Sequence, residues 1–236
     1  MTLPVVILAG GLATRMRPIT EKIPKSLIEV AGKPFISHQL KFLRSQGIRK
    51  VVVCTGYLGT MIEDVVGLGS DFGLEVSYSP DGPKLLGTGG AIKQALPILD
   101  ESFFVLYGDS FLPIDYEPVQ RAYVSSQKPA LMTIVKNSNL WDKSNVSYSG
   151  GQLLEYNKHL PASNMSYIDY GLSVLSRDLF ADHQTGCVFD LSEIYEKLTK
   201  NGQLEGYLVN NRFYEIGSNQ GLRETEEYFL KKGNQV

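Results

Sequence analysis

Four cations, Arg15, Arg17, Lys22 and Lys25, follow closely behind a glycine pair, Gly10-Gly11. Adjacent glycines let a backbone approach a ligand without an intervening side chain and leave amide N–H groups free to face phosphate oxygens. Arginine adds a planar fork matched to those oxygens, and lysine a compact point charge. Between residues 12 and 33 there are five basic side chains (the four above and Lys33) against two acidic ones (Glu21 and Glu29), in a chain whose net charge is -2. The excess is local, which fits a small polyanion bound in one place.

The spacing matches neither the dinucleotide fingerprint G-x-G-x-x-G nor the P-loop G-x-x-x-x-G-K-[ST]. The run Leu8-Ala9-Gly10-Gly11-x-x-Thr14-Arg15-Met16-Arg17-Pro18, followed by Pro24-Lys25, resembles the signature of the sugar-1-phosphate nucleotidyltransferases, also called nucleotide-sugar pyrophosphorylases. The resemblance extends to Gly87-Thr88-Gly89-Gly90-Ala91, Gly108-Asp109, Glu155-Tyr156-Asn157-Lys158, Tyr167 to Leu172, and Phe213-Tyr214-Glu215-Ile216-Gly217-Ser218.

The resemblance implies a role for each segment. Leu8, Ala9, Gly10, Gly11, Gly87, Thr88 and Gly89 would contact a nucleotide. Arg15 would hold the β and γ phosphates, and Lys25 would neutralise charge on the α-phosphoryl group, as the two catalytic residues. Asp109 and Glu215 would hold Mg2+; Glu215 stands where many members carry Asp. Lys158, Asp169 and Gly171 would face the sugar phosphate. Two departures are visible: the lysine segment lacks the family's proline, and Asp169 replaces an asparagine, which turns a donor-acceptor amide into an acceptor alone. The implied reaction is nucleotidyl transfer from a nucleoside triphosphate to a sugar 1-phosphate, giving a nucleotide-sugar and pyrophosphate.

Secondary-structure signals supply the scaffold. Residues 4–8, 50–55, 74–78, 102–107 and 130–135 read as buried strands. Between them, Ile36, Leu40 and Leu43 recur at helical spacing after Pro34, with Gly47 as a stop, and further helices are expected over 58–66, from Gly87 through Ile98, and over 115–127. This alternation predicts an α/β fold with a doubly wound, mostly parallel sheet; the resemblance specifies the Rossmann-like, GT-A type nucleotidyltransferase fold. Asp109 then falls at the carboxyl edge of the sheet, where open α/β folds bind ligands. Beyond residue 136 the rhythm breaks: residues 146–148 and 152–156 flank Gly150-Gly151 as a hairpin, a small antiparallel excursion beside the sheet. Asp190, with Glu193 three positions on, reads as the N-cap of a helix to Lys200, and a last helix is expected over 219–232.

The chain, 236 residues with 43% hydrophobic and 20% charged, is expected to form one domain, with residues 1–115 as a nucleotide-binding half and 116–236 as a sugar-phosphate half. The charge balance argues against nucleic acid as a partner. No apolar run suggests a membrane span or a signal, so cytoplasmic residence is the expectation; a homo-oligomer stays open. Cys54 and Cys187 lack metal-ligand spacing and read as reduced thiols, and His38, His159 and His183 as surface or packing residues. Alternative readings are cytidylyl or guanylyl transfer to a non-sugar phosphate and a catalytically silent nucleotide-sensing module. A GT-A glycosyltransferase would carry an Asp-x-Asp motif where this chain has Gly108-Asp109-Ser110.

Overall fold

A computed structural model describes residues 2–233. In chain order the elements are β1 (Val5–Leu8), β2 (Glu29–Val30), β3 (Lys33–Pro34), α1 (Phe35–Ser45), β4 (Lys50–Thr55), α2 (Gly59–Val66), β5 (Glu75–Pro80), α3 (Gly87–Ala95), β6 (Ser102–Tyr107), β7 (Ser110–Phe111), α4 (Tyr116–Ser126), β8 (Ala130–Lys136), β9 (Val146–Ser149), β10 (Gln152–Tyr156), β11 (Tyr167–Ser176), α5 (Leu191–Lys200), β12 (Leu204–Val209), β13 (Tyr214–Glu215) and α6 (Asn219–Gly233).

The central sheet runs β5-β4-β1-β6-β11-β8-β12, with β1 parallel to both β4 and β6. Strict alternation along β1, β4 and β6 divides the core between the two faces. Val5, Ile7, Val51, Val53, Phe104 and Leu106 point to the side covered by α1, α2 and α4, where Ile36, Leu40, Leu43, Ile62 and Val119 are buried. Val6, Val52, Cys54, Phe103 and Val105 point to the side covered by α3 and α5. The doubly wound, mostly parallel sheet is thus as expected.

The expected antiparallel hairpin is present as β9 and β10, and a further antiparallel strand was not anticipated. β11 is inserted into the main sheet, antiparallel to β6 on one side and to β8 on the other. The β9-β10 hairpin hangs from its first residue, where Tyr167 pairs with Val146. Strand β12, which no sequence signal marked, adds in parallel to β8 at the far edge. Pro34 precedes α1 as its cap and Phe35 is the first helical residue.

A third apolar cluster lies beyond the carboxyl edge. Met16, Ile28, Val30, Phe35, Phe111 and Ile216 are buried together, with Leu222, Tyr228 and Phe229 of α6 against them. This cluster ties the loop after β1 to the end of the chain. It gives the cationic loop a fixed position, helped by short 3-10 turns at Thr14–Met16, Ile19–Glu21 and Lys25–Leu27.

Candidate active site

The carboxyl ends of β1, β4, β5 and β6 open on one cleft of about 260 Å³. Leu8, Ala9, Gly10, Gly11, Lys25, Gly87, Thr88 and Asp109 all line it, together with Asp81 and Tyr107. Most of the residues expected to contact a nucleotide are therefore brought together. Gly10 allows a close approach, since a Cβ there would lie 3.2 Å from the Gly56 nitrogen. Among the described residues the amides of Gly10, Gly11 and Leu12 donate to no protein acceptor. They are free to receive an anion.

Gly89 differs. A Cβ at Gly89 would lie 2.2 Å from the Phe189 ring, and its amide donates to the Phe189 carbonyl at 3.0 Å. It lets the Phe189 segment pack on α3 and does not line the cleft. The Thr88 hydroxyl, in turn, accepts from the Leu191 amide at 2.8 Å.

At the floor of the cleft Lys25 Nζ donates to Asp109 Oδ2 at 2.9 Å, with the two side chains 15% and 30% exposed. Glu215 joins them through the two-residue ladder of β7 and β13, which pairs Glu215 with Ser110, while the Ile216 amide donates to the Asp109 carbonyl at 3.0 Å. The Glu215 carboxylate accepts from the Gly217 amide and, at 2.6 Å, from the Ser218 hydroxyl. A Cβ at Gly217 would lie 2.8 Å from Glu215 Oε2 and 3.3 Å from both Asp109 Oδ2 and Lys25 Nζ. Two carboxylates and an ammonium therefore converge on one point that the absent side chain leaves open. Hard divalent cations take carboxylate and phosphate oxygens, so this donor set fits Mg2+. Among the described residues no group of three or more His, Cys, Asp and Glu side chains is arranged for a metal, so a cation here would lean on these two carboxylates.

Arg15 lies exposed in the turn after the glycine loop and makes no ion pair among the described residues. Arg17 instead pairs with Glu21 at 3.8 Å.

The residues expected to face the sugar lie near Tyr107 and the start of α5: a Cβ at Gly171 would lie 3.7 Å from the Tyr107 ring, and Lys158 pairs with Asp190. Asp169 Oδ1 accepts from the Gly171 amide at 2.9 Å, a turn that uses the left-handed conformation of Gly171 at φ 101°. Burial pushes the Asp169 carboxyl up to about 6, against the Gly171 hydrogen bond and the Lys158 charge. Burial, with the Asp169 charge next, also raises the hydroxyls of Tyr107 and Tyr156 far above the ordinary phenol value. Lys158 does not stand free: it donates to Asp190 Oδ2 at 2.7 Å. Asp190 caps α5 as expected, in a full capping box with Glu193. The missing proline of the lysine segment thus accompanies a lysine tied to a helix cap.

Sequence reasoning did not name Asp81, Tyr107 or Tyr156 individually as site residues. Asp81 follows β5; its Oδ2 accepts from the Leu86 amide at 3.0 Å while its Oδ1 is buried without a partner, and burial raises its pKa. The Asp81-Gly82 pair directly after a strand was the available signal. The histidines expected to be surface or packing residues include two held in ring stacks: His38 lies on Phe229 at 4.0 Å and His183 on Phe189 at 4.1 Å. Both cysteines are free thiols. No helix among the described residues is long and apolar enough to cross a membrane.

The chain is similar to several known proteins. N-acetylmuramate alpha-1-phosphate uridylyltransferase of Neisseria meningitidis serogroup B is 44% identical over 112 residues, which are 47% of this chain and 48% of that protein. D-glycero-alpha-D-manno-heptose 1-phosphate guanylyltransferase of Campylobacter jejuni is 28% identical over 214 residues, covering 90% of this chain and 93% of that one. Among solved structures, HddC of Yersinia pseudotuberculosis, in complex with GMP-PN, superposes with a TM-score of 0.79 over 97% of this chain at 23% identity, a likeness of fold. Residues 4–141 match the nucleotidyl transferase family, a stretch that includes the glycine loop, Lys25 and Asp109, and the chain belongs to that family.

Proposed function

We propose that a nucleoside triphosphate lies over the Gly10-Gly11 loop, a sugar 1-phosphate lies toward Asp169, and Asp109 and Glu215 hold Mg2+ between them. The chain is a sugar-1-phosphate nucleotidyltransferase, which forms a nucleotide-sugar and releases pyrophosphate. The sugar phosphate oxygen attacks the α-phosphorus in line. Such a step demands positioning and charge neutralisation more than a proton-transferring side chain.

The free amides of Gly10, Gly11 and Leu12 bind phosphate oxygens, and Arg15, with no internal ion pair, takes the β and γ phosphates and the leaving pyrophosphate. Lys25 is held rigid by Asp109 and stabilises charge that develops on the α-phosphoryl group. When bound at Asp109 and Glu215, Mg2+ would supply further neutralisation of phosphate charge. Gly87 and Thr88 close the nucleotide end of the cleft, and Asp169 and Gly171 face the sugar. Lys158 reaches the sugar phosphate by exchanging its partly exposed pair with Asp190 for a substrate oxygen. The first half of the chain thus serves the nucleotide and the second half the sugar.

The observation that carries this reading is the convergence of Lys25, Asp109 and Glu215 at Gly217, beneath a loop of unpartnered amides. It is tested by pyrophosphate release with Mg2+ from each of the four common NTPs against a panel of sugar 1-phosphates, with Asp109→Asn as control. Release that needs one NTP–sugar pair and vanishes in the folded variant is expected. Nucleotide binding without release from any pair would favour the sensing module.

A further inference from the structure

The charge of the sugar end of the cleft bears on the class of sugar, an inference that rests on the transfer reaction above. Three side chains define that end. Tyr107 lines the nucleotide cleft and so joins the two subsites. Asp169 is tied to Gly171, where a Cβ would lie 3.7 Å from the Tyr107 ring, and Tyr156 packs on Tyr195 with ring centroids 5.7 Å apart; the Asp169 charge bears on all three tyrosines. Tyr195 is already occupied, sharing a hydrogen bond of 2.5 Å with the Ser173 hydroxyl.

Asp169 is different. One of its oxygens takes the Gly171 amide, while Oδ2 accepts no hydrogen bond among the described residues, and the residue is only part-buried. Burial keeps the hydroxyls of Tyr107 and Tyr156 in their neutral form beside it. The titratable groups that face this place are Asp169, Asp190, Lys158 and the three tyrosines, with Glu196 beyond Tyr156. The lone cation, Lys158, is neutralised by Asp190 at 2.7 Å and is needed for the sugar phosphate. What remains is a carboxylate with an open acceptor and two phenols that stay neutral.

We propose that Asp169 selects the sugar: the end of the cleft beyond Tyr107, where Asp169 and Tyr156 lie, takes an uncharged sugar 1-phosphate that donates a hydroxyl to Asp169, and it rejects sugars that carry a carboxylate. A carboxylate brought here meets a like charge with no spare cation, and it leaves Asp169 without its donor. The names of the relatives differ in this very property. N-acetylmuramate bears a carboxylate on its lactyl ether, whereas the heptose is a neutral polyol. The inference places this chain with enzymes of neutral sugars.

The test is a kcat/KM comparison with wild-type protein and Asp169→Asn, using the active NTP. The neutral panel holds hexose, 6-deoxyhexose, heptose and N-acetylhexosamine 1-phosphates; the acidic panel holds glucuronate and N-acetylmuramate 1-phosphates. The best substrate is expected to be neutral, with the acidic sugars lower on the order of a hundredfold or more. Asp169→Asn should raise KM for the neutral sugar, leave KM for the NTP near its original value, and narrow the neutral-to-acidic gap about tenfold or more. An acidic sugar as best substrate overturns the proposal, as does a gap unchanged in a folded Asp169→Asn protein. Silence of every sugar in a protein that still binds NTP would instead refute the transfer reaction itself.

Discussion

Gly217→Ala places a methyl group where the three charged side chains of the cleft floor meet. The new Cβ would lie 2.8 Å from Glu215 Oε2, whereas ordinary contact begins near 3.4 Å, so that oxygen must move by roughly 0.6 Å. Asp109 Oδ2 and Lys25 Nζ, each at 3.3 Å, must give slightly as well. Retreat is closed behind Glu215. Its Oε1 is held by the Ser218 hydroxyl at 2.6 Å and lies so near Gly221 that a Cβ there would come within 1.7 Å. The Gly217 backbone is outside the left-handed region, so alanine adds bulk without backbone strain. Overpacking of this kind costs about 1 to 3 kcal/mol of stability, while misplacing a reacting constellation by a sizeable fraction of an ångström lowers turnover on the order of a hundredfold. Pyrophosphate release measured beside a thermal melt separates the two effects. A folded Gly217→Ala protein within about threefold of wild-type kcat would refute the claim that this point is the centre of the chemistry.

Other expected outcomes follow from the same geometry. Arg15→Ala, at an exposed residue with no internal ion pair, should leave the melting temperature nearly unchanged and lower kcat/KM about a hundredfold or more; a matching loss of stability would assign Arg15 a structural role. Asp169→Asn should gain stability relative to wild type as pH rises. Burial raises the Asp169 carboxyl to about 6, so the stability tied to its protonated form is complete below the ordinary carboxylate range and is lost as pH passes through about 6. The neutral amide still accepts from Gly171 and escapes this loss. Denaturant melts at pH 4.5 and pH 7.5 should therefore differ in the variant's favour by up to about 2 kcal/mol, and an equal difference at both would show that Asp169 does not titrate in this range.

Much of the site was legible because it lies where local chemistry and topology coincide. Gly10, Gly11 and Asp109 sit directly after apolar strands, and a parallel sheet puts such residues on one edge. Lys25 was legible by type, but its contact with Asp109 depends on a buried cluster of Met16, Ile28, Phe111 and Ile216 that no periodicity marks. Glu215 reaches the site on a two-residue ladder too short to leave an alternating pattern. Gly89 misled because glycine serves both anion binding and close packing, and only the position of Phe189 decides between them. The sugar end was the least legible. Tyr107 and Tyr156 read as ordinary strand residues; Tyr107 becomes a polar neighbour of Asp169 because β11 runs antiparallel beside β6, and Tyr156 because the β9-β10 hairpin pairs with the start of β11. Strand β12 was hidden for a related reason: Gly206 interrupts its apolar run, and it is there that Tyr148 and Leu153 press on the sheet.

On this reading one cleft transfers the nucleotidyl group of a nucleoside triphosphate, through its α-phosphorus, to a sugar phosphate oxygen under Lys25, Asp109 and Glu215. Incubation with an NTP labelled at the α-phosphorus and its sugar 1-phosphate, followed by product separation, addresses this directly. Label is expected in a nucleotide-sugar formed in equal amount to pyrophosphate, and none in folded Lys25→Met or Asp109→Asn proteins. Label recovered as free nucleoside monophosphate or diphosphate, or transfer that persists in both variants, would contradict it.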